Sequence, residues 1–313
     1  MERVMSTATS LAPVVFFVFA RPEHTRRTLE ALAANTLVEQ TDLIVYADAP
    51  RNESDIEQVR EVRNLVHSVS GFRSVNVIER KNNYGLARNI IEGVTEICDR
   101  YGRVIVLEDD IVTAPNFLSF MNATLDRYVD EKRVWHISGW NYPIDEDGLG
   151  DAFFWRVMNC WGWATWSDRW KYFSKDPKRL IQSWDRGKIR RFNLDGTHDF
   201  WEQVTANDKG KLNTWAIFWY ATIFEAGGLC LNPVRSFVRN IGNDGSGENC
   251  GKIDPFAIAQ VKGRVHEFPD RIEESTLAVH RVQEFYKGFQ ASLLQRVMKR
   301  FMSLYPGDSE HRR

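Results

Sequence analysis

The sequence predicts an α/β fold in which a mostly parallel sheet is flanked by helices and is followed by an aromatic-rich half. Over the first 140 or so residues, short apolar runs alternate with helical patterns. Near-continuous apolar runs of this kind are typical of parallel strands that are covered on both faces. Beyond them the alternation fades, and all 11 tryptophans lie between Trp135 and Trp219. The 313 residues suffice for one continuous fold whose second half elaborates a pocket.

Four strands, each followed by a helix, are predicted in the first half. The apolar runs PVVFFVFA, DLIVYADAP, SVNVIER and RVIVLED place the strands at residues 13–20, 42–50, 74–80 and 103–109. The helical patterns lie at residues 21–35, about 53–70, 84–100 and about 115–129. Pro22 and Glu23 mark the first helix start, since both residue types favour the first turn. Right-handed crossovers then bring every strand-to-helix loop to one edge of the sheet, where ligands of open α/β sheets bind.

Composition argues against several classes of protein. A net charge of -1 gives no sign of a nucleic-acid partner. The four cysteines are widely spaced and form no CxxC pair, which argues against a zinc site or a disulfide framework and favours a cytoplasmic protein. The apolar run from Val14 to Ala20 falls short of the roughly 20 residues that span a bilayer. We interpret it as a buried strand rather than a signal peptide.

Three consecutive carboxylates, Glu108, Asp109 and Asp110, come where the fourth strand ends. Like charges this close raise each other's pKa unless a cation or hydrogen bonds compensate. Mn²⁺ and Mg²⁺ commonly bind one or two carboxylates together with phosphate oxygens and water. The alternative is a structural role, in which Asp109 or Asp110 caps the next helix.

Charged residues follow the other strands at the same predicted edge. Arg21 follows the first strand and Asp48 the second, and the segment after the third strand contains Arg88 and Asn89. Each has a simpler explanation when taken singly, as a loop charge or a solvated helix face. Their shared edge favours a site in which basic residues lie near phosphates and an acid contacts a ribose or base.

The order of these motifs resembles a known family. VVFFVFARPEHTRRTLEAL, IVYADAPR, NNYGLARN and VIVLEDDIVTAPNFL are similar to the nucleotide-sugar domain of GT-A glycosyltransferases. The similarity is to the N-acetylglucosaminyltransferase I family and its bacterial relatives, in which EDD replaces the more common DxD. The later HISGWN, CWGWATWSDRWKYF and GLCLNPVRSFVRNIGNDGSG extend the resemblance over most of residues 13–252.

The resemblance implies a metal-dependent transferase. The enzyme would move a hexose or N-acetylhexosamine from a nucleoside-diphosphate sugar, most simply a UDP-sugar, to a glycan or lipid-linked glycan during bacterial polysaccharide or glycoconjugate assembly. Asp110 would bind Mn²⁺ or Mg²⁺, and Arg21 and Asp48 would hold the nucleotide. The full donor-binding set is expected to comprise Phe19, Ala20, Arg21, Asp48, Arg88, Asn89, Glu108, Asp109, Trp161, Gly162 and Trp163.

The tryptophan-rich segment MNCWGWATWSDRW is expected to be a strand end or turn that runs into a helix, because its ring spacings mix strand and helix periods. Most of these rings are expected in the core. One or two of Trp161, Trp163 and Trp166 are expected to contact the donor or acceptor sugar, since flat aromatic faces suit sugar rings. Gly162 between two of them suits a sharp turn or a close approach of the backbone to a ligand.

The catalytic base is where the resemblance breaks. By the resemblance, the family's catalytic Asp aligns within NTWAIFWYATIF, where Ala216 follows Trp215. Three explanations stay open: a base relocated to Asp199, Glu202, Asp208 or Asp244, a retaining mechanism that needs no such base, or a protein that binds donors without transfer. Asp244 and Asp208 are the favoured candidates for a relocated base.

The chain is predicted to divide into a nucleotide-sugar-binding half at residues 1–140, an acceptor and catalytic half of the same domain at 141–280, and a basic helix and tail at 281–313. The turn-rich segment 237–252 is expected to face a ligand, and the basic amphipathic tail suggests peripheral contact with the inner face of a membrane. Two other functions remain open. A nucleotidyltransferase would need a phosphate loop that ARPEHTRR lacks, and a degenerate sugar-binding module is suggested by Ala216.

Overall fold

The strands of this protein form one large sheet and one small one. The structure, a computed structural model, describes residues 11–245, 256 and 266–288. Its strands are β1 (Val14–Val18), β2 (Asp42–Ala47), β3 (Ser74–Glu79), β4 (Arg103–Glu108), β5 (Ile111–Thr113), β6 (Val134–Ser138), β7 (Ala152–Trp155), β8 (Trp163–Trp166), β9 (Leu229–Pro233) and β10 (Val238–Asn240).

Helices follow each of the first three strands and the β4–β5 pair, and then dominate the second half. They are α1 (Pro22–Ala33), α2 (Ile56–His67), α3 (Gly85–Tyr101), α4 (Phe117–Arg127), α5 (Ser167–Trp170), α6 (Pro177–Ser183), α7 (Arg186–Phe192), α8 (Trp201–Asp208), α9 (Ala216–Glu225) and α10, residues 276–288. The four predicted strands and four predicted helices of the first half are confirmed, each within a few residues. The predicted strand-to-helix transition in the tryptophan-rich segment is also confirmed, as β8 and α5.

The large sheet has eight strands in the order β3-β2-β1-β4-β8-β6-β9-β7. The first four are parallel to one another, as predicted. β8 then pairs antiparallel with β4, so the second half of the chain extends the same sheet rather than forming its own. β6 and β9 are parallel to each other, whereas β7 is antiparallel to β9. The predicted α/β class with a mostly parallel sheet is therefore confirmed.

Aromatic side chains form the core of the second half. Trp155, Trp163 and Trp219 are fully buried, and α9 is buried along most of its length. A helix that is apolar all round must be covered on every side, and α9 packs in this way among large rings. Trp163 stacks on Trp215 with ring centroids 5.1 Å apart. Most of the tryptophans are therefore core residues, as predicted.

A buried histidine lies in this aromatic core. His136 in β6 is fully buried, and its Nε2–H donates to the carbonyl of Asn159 at 3.0 Å. The indole N–H of Trp219 donates to Nδ1 at 3.2 Å. Burial lowers the pKa of His136 to about 3, so the ring is neutral at physiological pH.

Two further features of the chain, besides the sheet and its helices, are its capacity to span a membrane and its predicted tail. No helix in residues 11–245, 256 and 266–288 is both long and apolar enough to cross a membrane. The predicted basic tail at 281–313 lies mostly outside the described residues, as does the part of the turn-rich segment after residue 245.

Candidate active site

The site forms where the carboxyl ends of three parallel strands meet. In the sheet register, Phe17 of β1 lies opposite Glu108 of β4, and Val18 lies opposite Ala47 of β2. The residues that follow these strands, namely Arg21, Asp48 and the acidic triplet, therefore lie at one edge of the sheet.

A cavity of about 480 Å³ opens at this edge. Its described lining comprises Phe17, Val18, Phe19, Ala20, Arg21, Asp48, Arg51, Asp55, Gln58, Asn83, Gly85, Leu86, Asn89, Glu108, Asp109, Asp110, Cys160, Trp161, Gln203, Asn213, Thr214, Trp215, Ala216 and Asn240. All its charged lining residues come from the first half of the chain. The second half contributes amide, hydroxyl, thiol, aromatic and small side chains.

The acidic turn between β4 and β5 is fixed by backbone contacts. Thr28 Oγ1 donates to the carbonyl of Asp109 at 2.8 Å, which joins the turn to α1. The Ile241 N–H donates to the carbonyl of Asp110 at 2.9 Å, beyond the short β5–β10 ladder. The turn therefore holds its carboxylates in place from both sides.

Arg21 is the cation that faces this turn. Its Nη1 lies 2.8 Å from Asp110 Oδ2 and 3.4 Å from Asp109 Oδ1, and both aspartates are only 8% exposed. Burial disfavours the charged guanidinium, but the neighbouring carboxylates outweigh it and raise the pKa of Arg21. Its Nε and Nη2 are buried and have no hydrogen-bond partner among the described residues.

The charge of Arg21 does not neutralise the three carboxyl groups of this turn, of which Asp109 and Asp110 are buried and Glu108 is half-buried. Burial, together with the charges of the neighbouring aspartates, raises the pKa of Glu108 well above its usual range. Burial and the charge of Asp110 raise the pKa of Asp109 to about 7. If all three groups were ionised, their charge would exceed what Arg21 compensates, so a further cation would stabilise the ionised form.

Gly242 leaves the space that the Asp110 carboxylate occupies. A Cβ at this position would lie 2.1 Å from Asp110 Oδ2 and 3.0 Å from Arg21 Nη2. The Gly242 N–H donates to Asn240 Oδ1 at 2.6 Å, which anchors the loop against the cavity wall. Only a residue without a side chain fits here while Asp110 keeps its position.

These residues fit a divalent cation that a ligand helps to hold. No group of three His, Cys, Asp or Glu side chains in the described parts of the chain converges as a ready-made metal cage. Hard cations of the Mg²⁺ type are often held by one or two carboxylates plus substrate phosphates and waters. The carboxyl groups beside Asp110, which a further cation would keep ionised, match that kind of site.

Asp48 is buried and already well supplied with hydrogen bonds. It is 4% exposed, and its oxygens accept from the backbone N–H groups of Ala49, Tyr84 and Gly85 at 2.9 Å each. Asn83 Nδ2 also donates to it at 3.3 Å. The carboxylate therefore ties the end of β2 to the turn that begins α3, and it stabilises a helix N-terminus.

Several lining residues at the β2 side escaped the sequence analysis. The Arg51 guanidinium lies 4.8 Å above the Phe19 ring, and its Nε donates to Asp55 Oδ2 at 3.0 Å. Gln58 in α2 lines the same region. Their only sequence signal was a position shortly after a predicted strand, which is shared by most loop residues.

The second-half wall includes part of the segment NTWAIFWYATIF. Trp215 and Ala216 of that segment line the cavity, and a catalytic role for it stays a prediction. Gln203, Asn213 and Thr214 were not singled out, because polar residues in a turn carry no distinctive sequence pattern.

The predicted donor-binding residues fall into two groups. Phe19, Ala20, Arg21, Asp48, Asn89, Glu108, Asp109 and Trp161 line the cavity, as does the predicted metal ligand Asp110. The other predicted residues, Arg88, Gly162 and Trp163, lie outside its described lining. Arg88 pairs with Glu92 at 2.7 Å on an exposed helix face, whereas Trp163 is fully buried in the aromatic core.

Gly162 separates a cavity residue from a core residue. Its φ of +59° lies in the left-handed region, and a Cβ there would lie 2.9 Å from Val238 Cγ1. The turn sends Trp161 to the cavity and Trp163 into the core.

The candidate bases differ in position. Asp244 Oδ2 lies 3.1 Å from His24 Nε2, and Asp244 Oδ1 lies 3.7 Å from Arg21 Nη2, so this acid borders the acidic cluster. Asp244 is nevertheless exposed and lies outside the described cavity lining. The same holds for Asp199, Glu202 and Asp208, the last at the end of α8. The catalytic role of each remains a prediction.

Comparison with known proteins identifies the family. The model of the GNT-I family matches residues 2–193, more than half of the chain. Among curated proteins there is no match. A solved structure with some likeness is the mannosyltransferase PcManGT from Pyrobaculum calidifontis in complex with GDP-Man and Mn2+, with 12% sequence identity, 71% of this chain and 70% of that chain covered, and a TM-score of 0.39. On the strength of the family match, the chain belongs to the GNT-I family and is a glycosyltransferase enzyme.

Proposed function

We propose that this enzyme is a metal-dependent glycosyltransferase that moves a hexose or N-acetylhexosamine from a UDP-sugar to a hydroxyl of a glycan or lipid-linked glycan. The observation that carries the proposal is the acidic turn paired with Arg21, at the edge of a cavity large enough for a nucleotide-sugar.

The nucleoside is assigned to the β2 side of the cavity. There the Phe19 ring and the Arg51 guanidinium form a stacked pair, and Gln58 and Asn83 supply amide groups. Flat apolar surface with a few polar groups suits a nucleobase and ribose. Asp48 supports this wall by holding the turn that contains Asn83.

The diphosphate is assigned to the centre of the cavity, beside Arg21. Two of its nitrogen atoms are buried without hydrogen-bond partners among the described residues, and an anionic ligand would satisfy them. Asp110 would hold Mn²⁺ or Mg²⁺, with Glu108 and Asp109 adding negative potential nearby. When bound, such a cation stabilises the negative charge that develops on a departing diphosphate.

The transfer step joins the acceptor oxygen to the anomeric carbon. The carbon–oxygen bond to the diphosphate breaks, UDP leaves with that electron pair, and a base takes the hydroxyl proton. We assign the base to Asp244, since its carboxylate shares Arg21 with the acidic turn and is paired with His24. Asp208 is the second candidate. Because it is exposed and lies outside the described cavity lining, it would have to move toward the cavity to act as the base.

The test is thermal stabilisation by nucleotide-sugars with and without Mn²⁺. UDP-glucose, UDP-N-acetylglucosamine, GDP-mannose and dTDP-glucose would be compared on wild-type protein, Asp110→Asn and Asp99→Asn, the last being an exposed acid on α3 away from the cavity. Ligand at about 100 times its Kd stabilises by about 2.7 kcal/mol. We expect stabilisation by UDP-sugars that needs Mn²⁺ and is lost only in Asp110→Asn. Equal stabilisation by all donors in the presence of a chelator would refute the proposal.

A further inference from the structure

The wall that the second half contributes to the cavity has no charged side chain among its described members. It consists of Cys160, Trp161, Gln203, Asn213, Thr214, Trp215, Ala216 and Asn240. Trp215 packs against Trp163 of β8, the strand next to β4 on the side away from β1. A ligand that starts at the β2 side and places its diphosphate at Arg21 therefore reaches this wall with its sugar. This step rests on the proposed function.

Asn213 has its amide orientation fixed by a lysine. Lys175 Nζ donates to Asn213 Oδ1. An ammonium group can only donate, so the amide oxygen must be the end that faces Lys175. The NH₂ group of Asn213 is the end that remains for a ligand in the cavity.

Thr214 has its hydroxyl direction fixed by an asparagine. The Thr214 N–H donates to Asn207 Oδ1 at 3.0 Å, and a backbone N–H cannot accept. Asn207 Nδ2 is thereby set as the end that donates to Thr214 Oγ1, at 2.9 Å. Because this oxygen accepts from Asn207, its own hydrogen stays available for donation.

We propose that Lys175 and Asn207 are positioning residues that make Asn213 and Thr214 hydrogen-bond donors toward the transferred sugar. Neither Lys175 nor Asn207 is among the described residues that line the cavity. The donors suit uncharged oxygen atoms, such as a hydroxyl or the carbonyl of an acetamido group. No described lining residue of this wall is cationic, and the Lys175 ammonium faces the oxygen of Asn213. We therefore expect the wall to favour neutral over acidic sugars.

The experiment compares binding of the nucleotide with binding of the nucleotide-sugar. Calorimetry with Mn²⁺ would give Kd values for UDP, UDP-glucose, UDP-N-acetylglucosamine and UDP-glucuronate on wild-type protein, Asn207→Asp, Lys175→Met and Lys175→Arg. Asn207→Asp keeps the shape and the acceptor for the Thr214 N–H, but the new carboxylate would draw the Thr214 hydroxyl away from the cavity. Lys178→Met is the control, because Lys178 is an exposed lysine outside the described cavity lining.

We expect Asn207→Asp and Lys175→Met to weaken binding of the neutral UDP-sugars about 3- to 10-fold and to leave UDP binding unchanged, as loss of about one hydrogen bond implies. Lys175→Arg, which keeps a donor, and Lys178→Met should match wild-type protein. A merely structural role would weaken UDP and UDP-sugars alike, so equal losses would overturn the inference.

Two further results would also contradict it. One is wild-type binding of UDP-glucuronate as tight as that of UDP-glucose, and the other is an unchanged ratio of UDP-sugar to UDP affinity in both variants. Failure of wild-type protein to bind UDP at all would instead show that the proposed function is wrong, and it would remove the basis of the inference with it.

Discussion

Replacing Gly242 with alanine should disable the site without unfolding the protein. The added Cβ would lie 2.1 Å from Asp110 Oδ2 and 2.9 Å from its Cγ, where atoms cannot remain. The backbone at Gly242 is outside the left-handed region, so alanine introduces no backbone strain there. The whole perturbation is therefore a displacement of the Asp110 carboxylate and of the Arg21 guanidinium beside it.

The size of the effect follows from the distance. To reach an allowed contact of about 3.0 Å, the carboxylate oxygen must move by about 1 Å. Misplacement of about 1 Å in a reacting assembly can reduce the rate about 100-fold. Overpacking of a buried site costs about 1–3 kcal/mol of folding stability, which leaves most proteins folded. We therefore expect a loss of activity far larger than the loss of stability.

The assay is Mn²⁺-dependent release of UDP from a UDP-sugar, with thermal unfolding measured on the same samples. Gly288→Ala is the matched control, because Gly288 is a described glycine with no heavy atom within 4 Å of the added Cβ. UDP release by Gly242→Ala within twofold of wild-type protein would show that the position of the Asp110 carboxylate is unimportant, and the assignment of the metal site would be wrong.

Three other predictions follow from buried polar groups. Arg21→Gln should raise the affinity for Mn²⁺ in the absence of nucleotide, because it frees Asp110, and should weaken UDP binding, because it removes a hydrogen-bond donor to phosphate. Both affinities would be measured by calorimetry, and a change of both in the same direction would contradict the prediction. Asp48→Asn should lower the free energy of unfolding, measured in urea, by about 1–3 kcal/mol, since an amide NH₂ would face backbone N–H donors. An unchanged urea midpoint would contradict this prediction. The pKa of His136 is lowered to about 3 from an ordinary 6.5, so the stability that it contributes is present above pH 6.5 and is lost as pH falls toward 3, by about 1.4 kcal/mol per pH unit. His136→Gln should remove that part of the slope between pH 4 and 6, and an identical slope in the variant would contradict the assignment.

The first half of the fold was predictable because its signals are local. Apolar runs of strand length, helix starts such as Pro22 and apolar stripes of helical period each depend on a few neighbouring residues. The convergence of Arg21, Asp48 and the acidic triplet then follows from the rule that parallel strands end at one edge.

The remaining features depend on contacts between distant segments. The five hydrogen bonds to the Asp48 carboxylate include four from residues 83–85, which no pattern around position 48 could indicate. The sequence placed Trp161 and Trp163 together, and only the left-handed turn at Gly162 separates the cavity ring from the core ring. Likewise, the pairing of Asn207 with Thr214 is set by how a turn folds back on α8.

The most direct test of the central claim is the affinity for UDP with and without Mn²⁺, measured by calorimetry on wild-type protein and on Asp110→Asn. A cation that joins the Asp110 carboxylate to the diphosphate should tighten UDP binding at least about 10-fold in wild-type protein, equivalent to about 1.4 kcal/mol, and Asp110→Asn should abolish this gain. An affinity for UDP that is the same in EDTA as in Mn²⁺, or a full Mn²⁺ effect in Asp110→Asn, would contradict the account.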